Sequence, residues 1–189
     1  MIRLFQFLFE QKMNILVFDI ETNGLPKSRK YPFDFRNFDN ARMLELAYVI
    51  LNTKGEIIKQ VSHLIKHDIE IKIQNSYIHG IDMDMIQQYG TNIEEVLDEL
   101  HTCLDDVDTI VAHNIQFDFN IILSELYRKY HKYMKTIGML YTKTQVCTML
   151  KGKKYMRIPK FPKLVDLYKH IFNENYEQKN LLIESLVKS

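Results

Sequence analysis

From Asn14 to Ile20 (NILVFDI) the chain is an apolar run that ends in a carboxylate. Such a run reads as a buried strand whose C-terminal end carries function. Residues 24–40 follow with Gly24, Pro26, Pro32 and several Asn and Asp residues, the composition of a loop. Met43 to Leu51 and Ile57 to Ile65 are two further apolar-rich runs, and Asn52-Thr-Lys-Gly55 between them is a hairpin turn signal. The chain therefore opens with three predicted antiparallel strands.

Thr91 to Val107 predicts a helix. Ile93, Val96, Leu97, Leu100, Leu104 and Val107 fall on one face, and Thr91 with Glu94 makes a capping box. Asp108 to Ala112 (DTIVA) is a short buried strand. Ile115, Phe119, Ile122, Leu123, Leu126, Tyr127 and Tyr130 trace a second helical face; Phe161, Leu164, Val165, Tyr168, Ile171 and Phe172 trace a third. Three strands, then helix, strand and helix, predict an α/β fold with a mixed sheet flanked by helices.

Composition changes this picture little. The 189 residues fit one domain with a real core, and no internal repeat or linker divides them. Residues 1–12 read as an N-terminal extension: their apolar stretch is short, broken by Gln6, and lacks a small-residue cleavage site, which argues against a secretory signal. The domain is then expected over residues 13–189. Cys103 and Cys147 fit no metal or redox spacing, so reduced thiols in an intracellular protein are expected. No apolar run reaches the roughly 18–20 residues that span a bilayer, and no membrane role is expected. Net charge is +1, so a nucleic-acid partner must be argued from local charge.

The candidate chemistry lies in three carboxylates. Asp19 and Glu21 are i and i+2 on one strand, so they point to the same face about 6.6 Å apart along it. Asp118 lies one turn into the helix after DTIVA, with Asn114 four residues before it. In open α/β sheets such positions gather at the carboxyl ends of the strands, where ligands bind. Three carboxylates there form most of a cage for Mg²⁺ or Mn²⁺, and two such ions can activate water against a phosphodiester. Taken singly, Asp19 could be a turn residue and Asp118 a first-turn acid favoured by the helix dipole.

These residues resemble a known family. Phe18-Asp-Ile-Glu-Thr-Asn-Gly-Leu25 resembles the first exonuclease motif of the DEDD superfamily, which includes DnaQ-like proofreading subunits and ribonuclease T. Arg42-Met-Leu-Glu-Leu-Ala47 resembles its second strand, Tyr77-Ile-His-Gly-Ile81 its histidine–glycine segment, and Val111-Ala-His-Asn-Ile-Gln-Phe-Asp118 its second exonuclease motif. Val146-Cys-Thr-Met149 and Pro162-Lys-Leu164 extend the likeness, which runs from about Asn14 to Phe172. The resemblance implies a ribonuclease-H-like fold and metal-dependent 3′→5′ exonuclease chemistry. It implies that Asp19 touches both of two metal ions, that Glu21 holds the ion carrying the attacking water, and that Asp118 holds the second. Thr22 and Leu25 would contact the terminal nucleotide, and His79, Ile81, Asn114 and Phe117 would line the cleft. The implied partners are a single-stranded DNA or RNA 3′ end and a polymerase or other replication or repair protein.

The resemblance also implies a third motif, His-x-x-x-x-Asp, soon after Phe172. Tyr176 to Ser189 contains neither His nor Asp, and Glu177 and Glu184 are its only acids. His63…Asp68 and His101…Asp106 have the spacing but lie upstream, and they read as chance matches. The expectation is an exonuclease impaired by that loss. The rivals are a catalytically inactive nucleic-acid-binding module of the same fold and a protein-interaction domain. Lys151, Lys153, Lys154, Arg157, Lys160 and Lys163, with Tyr155 and Phe161 among them, suit either a nucleic-acid backbone with stacked bases or a solvated loop.

Overall fold

The structure is a computed structural model that describes residues 14–175; the expected N-terminal extension, and the stretch in which the third motif was sought, lie outside the described residues. Six strands form one sheet: β1 (Asn14–Thr22), β2 (Met43–Leu51), β3 (Ile57–Lys66), β4 (Thr91–Asn92), β5 (Val107–Ala112) and β6 (Thr144–Cys147), in the order β4-β3-β2-β1-β5-β6. β1, β2 and β3 pair antiparallel, as the two apolar runs and the turn between them predict. β5 then pairs parallel to β1, β6 parallel to β5, and β4 parallel to β3. The α/β mixed sheet expected from the sequence is the sheet observed.

Seven α-helices surround it among the described residues: α1 (Ser76–His79), α2 (Met83–Tyr89), α3 (Ile93–Leu104), α4 (Ile115–Arg128), α5 (Tyr130–Thr142), α6 (Thr148–Met156) and α7 (Leu164–Phe172). Leu16, Phe18 and Ile20 of β1 and Leu46, Tyr48 and Ile50 of β2 join the apolar faces of α3 and α4 in one continuous core. Truncating a buried Leu there to Ala costs about 2–5 kcal/mol. The alternate residues Val17, Asp19, Ala47, Val49 and Val111 face the other side of the sheet, where they line an open groove. This division of faces sets where the site lies.

Several local expectations are corrected. The helix expected from Thr91 begins at Ile93, and its N-cap is Asn92, whose side chain accepts from the Glu94 N–H; Thr91 is taken up by the short β4. Tyr130 starts α5 and does not continue α4, because the chain leaves helical geometry at Lys129. Of the basic span, Lys151, Lys153 and Lys154 lie on a helix, while Arg157, Lys160 and Lys163 lie in the connection that follows it. The apolar face expected on α7 is real but mostly uncovered: Leu167 is its buried residue, while Leu164, Val165, Ile171 and Phe172 stay exposed.

Candidate active site

The C-terminal end of β1 carries the first two carboxylates. Asp19 and Glu21 share the open face of the sheet, and Glu21 pairs directly with Glu45 of β2. The register slips between Glu21 and Thr22, a β-bulge of the kind that re-aims side chains beside functional sites. Asp118 comes from the first turn of α4 and is buried. Asn114 does not share a helical face with it. Asn114 is the residue before α4, held in the left-handed region at φ 70°, and this reverses the chain from β5 into the helix.

The carboxylates stand in one another's field. The Asp118 carboxyl is pushed up to about 8, first by burial and then by the charges of Asp19 and Glu21. Glu21 is pushed up to about 7 by burial, Asp19 and Glu45, in that order. Asp19 is also raised; its side chain opens onto the groove, but the protein mass around it displaces enough water to disfavour the charge, against the pull of the Ile20 N–H and His113. Glu45 is raised by burial, with the Ser62 hydroxyl donating to it at 2.5 Å and opposing the shift. Crowded acids that resist ionisation mark functional sites more often than structural ones.

An all-oxygen set of this kind suits a hard divalent cation, whose charge would offset the repulsion. Among the described residues, however, no three His, Cys, Asp or Glu side chains are gathered closely enough to hold an ion as they stand. The acids are neighbours without enclosing a common point.

Two grooves flank the turn into α4: Asp19 and His113 line one, and Asn114, the next residue, lines the other. The first, of about 270 Å³, is lined by Asp19, Ala47, Val49, Val111, His113, Thr148 and Leu164 among others. His113 braces its wall. Nε2 donates to the Pro162 carbonyl at 3.1 Å, and Nδ1 lies 2.9 Å from Thr148 Oγ1. The second, of about 170 Å³, is lined by Asn114, Phe117, Arg29, Lys30, Phe38 and Asn120 among others. Leu25 is exposed, at 62%. Thr22 is buried, and its hydroxyl donates to the Gly24 carbonyl at 2.7 Å. Ile81 packs with Leu44, Leu64, Ile71 and Ile86 in a small second core. His79 is buried beside it. Its Nδ1 accepts the Ile81 N–H, which puts the ring proton on Nε2, and that buried donor meets no partner.

A buried ion pair holds this frame. Arg42 donates to Glu125 through Nε at 2.7 Å and through a terminal nitrogen at 2.9 Å, and Glu125 also accepts the Met43 N–H. The Arg42 N–H in turn reaches Asn23 Oδ1 at 2.7 Å. The loop after Glu21, the start of β2 and the helix that carries Asp118 are thereby locked together.

Sequence reasoning missed Glu45 and His113 as neighbours of the acids. Both lie inside segments already singled out. An acid in an otherwise apolar strand was the available signal for Glu45.

With this geometry in hand, comparison with known proteins is decisive for the family. The exonuclease family model, RNase_T, matches residues 16–175. This chain belongs to the exonuclease family. The DnaQ-like, ribonuclease-H-like relationship drawn from its motifs is borne out. A curated relative, the PolC-type DNA polymerase III of Thermotoga maritima, is 32% identical over 104 residues, which is 55% of this chain and 7% of that protein. Crystal structures of E. coli Exonuclease I share the fold at 16% identity. A complex with a dA16 oligonucleotide gives a TM-score of 0.65 over 88% of this chain and 37% of the other. A complex described as ExoI/SSB-Ct gives 0.62 over 90% and 38%. The chain thus spans well under half the length of each of these relatives. Among the described residues no helix is long and apolar enough to cross a membrane.

Proposed function

We propose that this exonuclease-family chain removes nucleotides from single-stranded 3′ ends, with Asp19, Glu21 and Asp118 as its catalytic carboxylates. The observation that carries the reading is the gathering of the three in one another's field at the end of β1, where burial first and their mutual charge second raise Asp118 to about 8 and Glu21 to about 7. Asp19, Glu21 and Asp118 would hold Mg²⁺ or Mn²⁺, which supplies charge neutralisation and an activated water. The side chains around them have simpler tasks. Asn114 and Phe117, with Arg29 and Lys30 beside them, form a groove with cationic edges that suits a terminal nucleotide and its phosphate. Leu25, exposed at the loop after the acids, offers an apolar surface to a base. His79 lies in the histidine–glycine segment with its Nε2–H buried, so it would shape that segment and not touch substrate directly. Thr22 and Ile81 support the same loop and segment from inside.

A nucleic-acid-binding module without turnover is the second reading, and one observation favours it: the acids do not close on a common point. A 5′-labelled single-stranded oligonucleotide with Mg²⁺ or Mn²⁺ separates the two. Stepwise shortening from the 3′ end supports the enzyme. Retained full-length strand with measurable binding supports the module, and internal cleavage contradicts both. Association with a polymerase or other replication protein is the wider setting that the PolC-type relative suggests.

A further inference from the structure

The segment from Thr148 to Phe172, which forms α6, α7 and the turn between them, concentrates charge. It holds six Lys and one Arg against a single acid, Asp166, while the whole chain carries only +1. The rest of the chain is therefore net negative, and the positive field is local to this knuckle. Its cations are also unspent. Lys129 and Lys132, by contrast, are tied to Glu94, Asp68 and Asp98. None of the seven basic residues of the knuckle makes an ion pair among the described residues. Surface cations kept free of carboxylates suit an external polyanion.

Aromatic rings stand among these charges. Tyr155 is 66% exposed, Phe161 54% and Phe172 57%. Lys153 Nζ sits 4.6 Å from the centre of the Phe161 ring and steadies it. α6 and α7 pack closely at Gly152, where an added Cβ would lie 2.8 Å from the Leu167 side chain. The knuckle is also continuous with the carboxylate groove. Thr148 and Leu164, the first residues of α6 and α7, line that groove with Asp19, and His113 bonds to Thr148 and to the Pro162 carbonyl.

We propose that the α6–α7 knuckle is a binding track for single-stranded nucleic acid, carrying the strand that leads away from the 3′ end held at Asp19. This rests on the 3′-end reading of the site. Exposed rings between cations select a single strand, because only unpaired bases offer their faces for stacking, while the lysines follow the phosphates.

The test is binding of labelled oligo(dT) of three and of twelve nucleotides, in chelator, across a series of salt concentrations, together with Mn²⁺-dependent hydrolysis of the trinucleotide. Lys151→Ala with Lys154→Ala should weaken the 12-mer at least about tenfold and flatten its salt slope by roughly 0.7 per charge removed. Tyr155→Ala should cost the 12-mer about 5- to 100-fold, and Tyr155→Phe should restore it. Trinucleotide binding should not change. Equal losses on both lengths, or no loss on the 12-mer, overturn the track. So does binding to phosphatidylserine vesicles as tight as to the 12-mer, since the patch would then be a membrane surface. Absence of Asp19-dependent trinucleotide hydrolysis, with the length-dependent losses intact, would remove the 3′-end reading and leave the single-strand surface standing.

Discussion

Replacing Asp118 with Asn should make the metal-free protein more stable. The unfolded chain releases this proton near 3.8, and the folded chain releases it only near 8. Between those values the folded state binds more proton than the unfolded state, so each rise of one pH unit costs the folded state about 1.4 kcal/mol. The stability tied to this group is fully present below 3.8 and is lost as pH rises to about 8. At neutral pH the penalty is at most about 4 kcal/mol, and water reaching the site lowers it, so a gain of roughly 1–4 kcal/mol is expected. Asn resembles the neutral acid in shape and has no charge to recover on unfolding. Urea unfolding followed by circular dichroism, in chelator at pH 5, 6, 7 and 8, reads the effect. Wild type should lose stability relative to the variant as pH rises, with unchanged m-values. A variant that is less stable at pH 7, or whose pH slope matches wild type, would refute the reasoning that burial and the neighbouring acids together disfavour the Asp118 charge.

Three further outcomes follow from the same geometry. Arg42→Ala should destabilise the fold by about 3–5 kcal/mol in the same unfolding assay, because it takes from the buried Glu125 its two short hydrogen bonds and leaves it, for a cation, only the longer contact with Arg128 at 3.5 Å. Gly24→Ala should cost about 1–3 kcal/mol and lower the melting temperature, since the new Cβ would sit 2.6 Å from the Asn40 carbonyl oxygen. Mn²⁺ at about a hundred times its dissociation constant should stabilise wild type by about 2.7 kcal/mol and leave Asp19→Asn unmoved; an equal shift in both would place the ion elsewhere.

The sheet was legible because its signals are local. Alternation and the Asn52–Gly55 turn fix β2 and β3, and an apolar run closed by Asp19 fixes β1. The approach of Asp118 to Asp19 was legible from their places at the carboxyl ends of β1 and β5 and from the motifs, although nothing local joins residues so far apart. Glu45 was not, since its partnership with Glu21 depends on cross-strand register and the bulge beside it. The Arg42–Glu125 pair, 83 residues apart, has no sequence signal at all. Helix starts slipped for a different reason: Thr91 and Asn92 are both good caps and both pair in the sheet, with Ile65 and Lys66, but it is the Asn92 side chain that accepts the Glu94 N–H. α6 was hidden because lysines and Gly152 leave it little apolar periodicity. α7 shows the reverse, a clear apolar stripe that the described residues do not cover.

The central claim is that Asp19, Glu21 and Asp118 act together on a 3′-terminal phosphodiester. Its most direct test is the rate of mononucleotide release from a single-stranded trinucleotide in Mn²⁺, for wild type and for Asp19→Asn. The account predicts release by wild type that stops on chelation and falls by about 10²-fold or more in the variant, the scale of losing a principal electrostatic group at a reacting centre. Release that survives Asp19→Asn, or wild type that binds Mn²⁺ and the trinucleotide yet releases nothing, would contradict it.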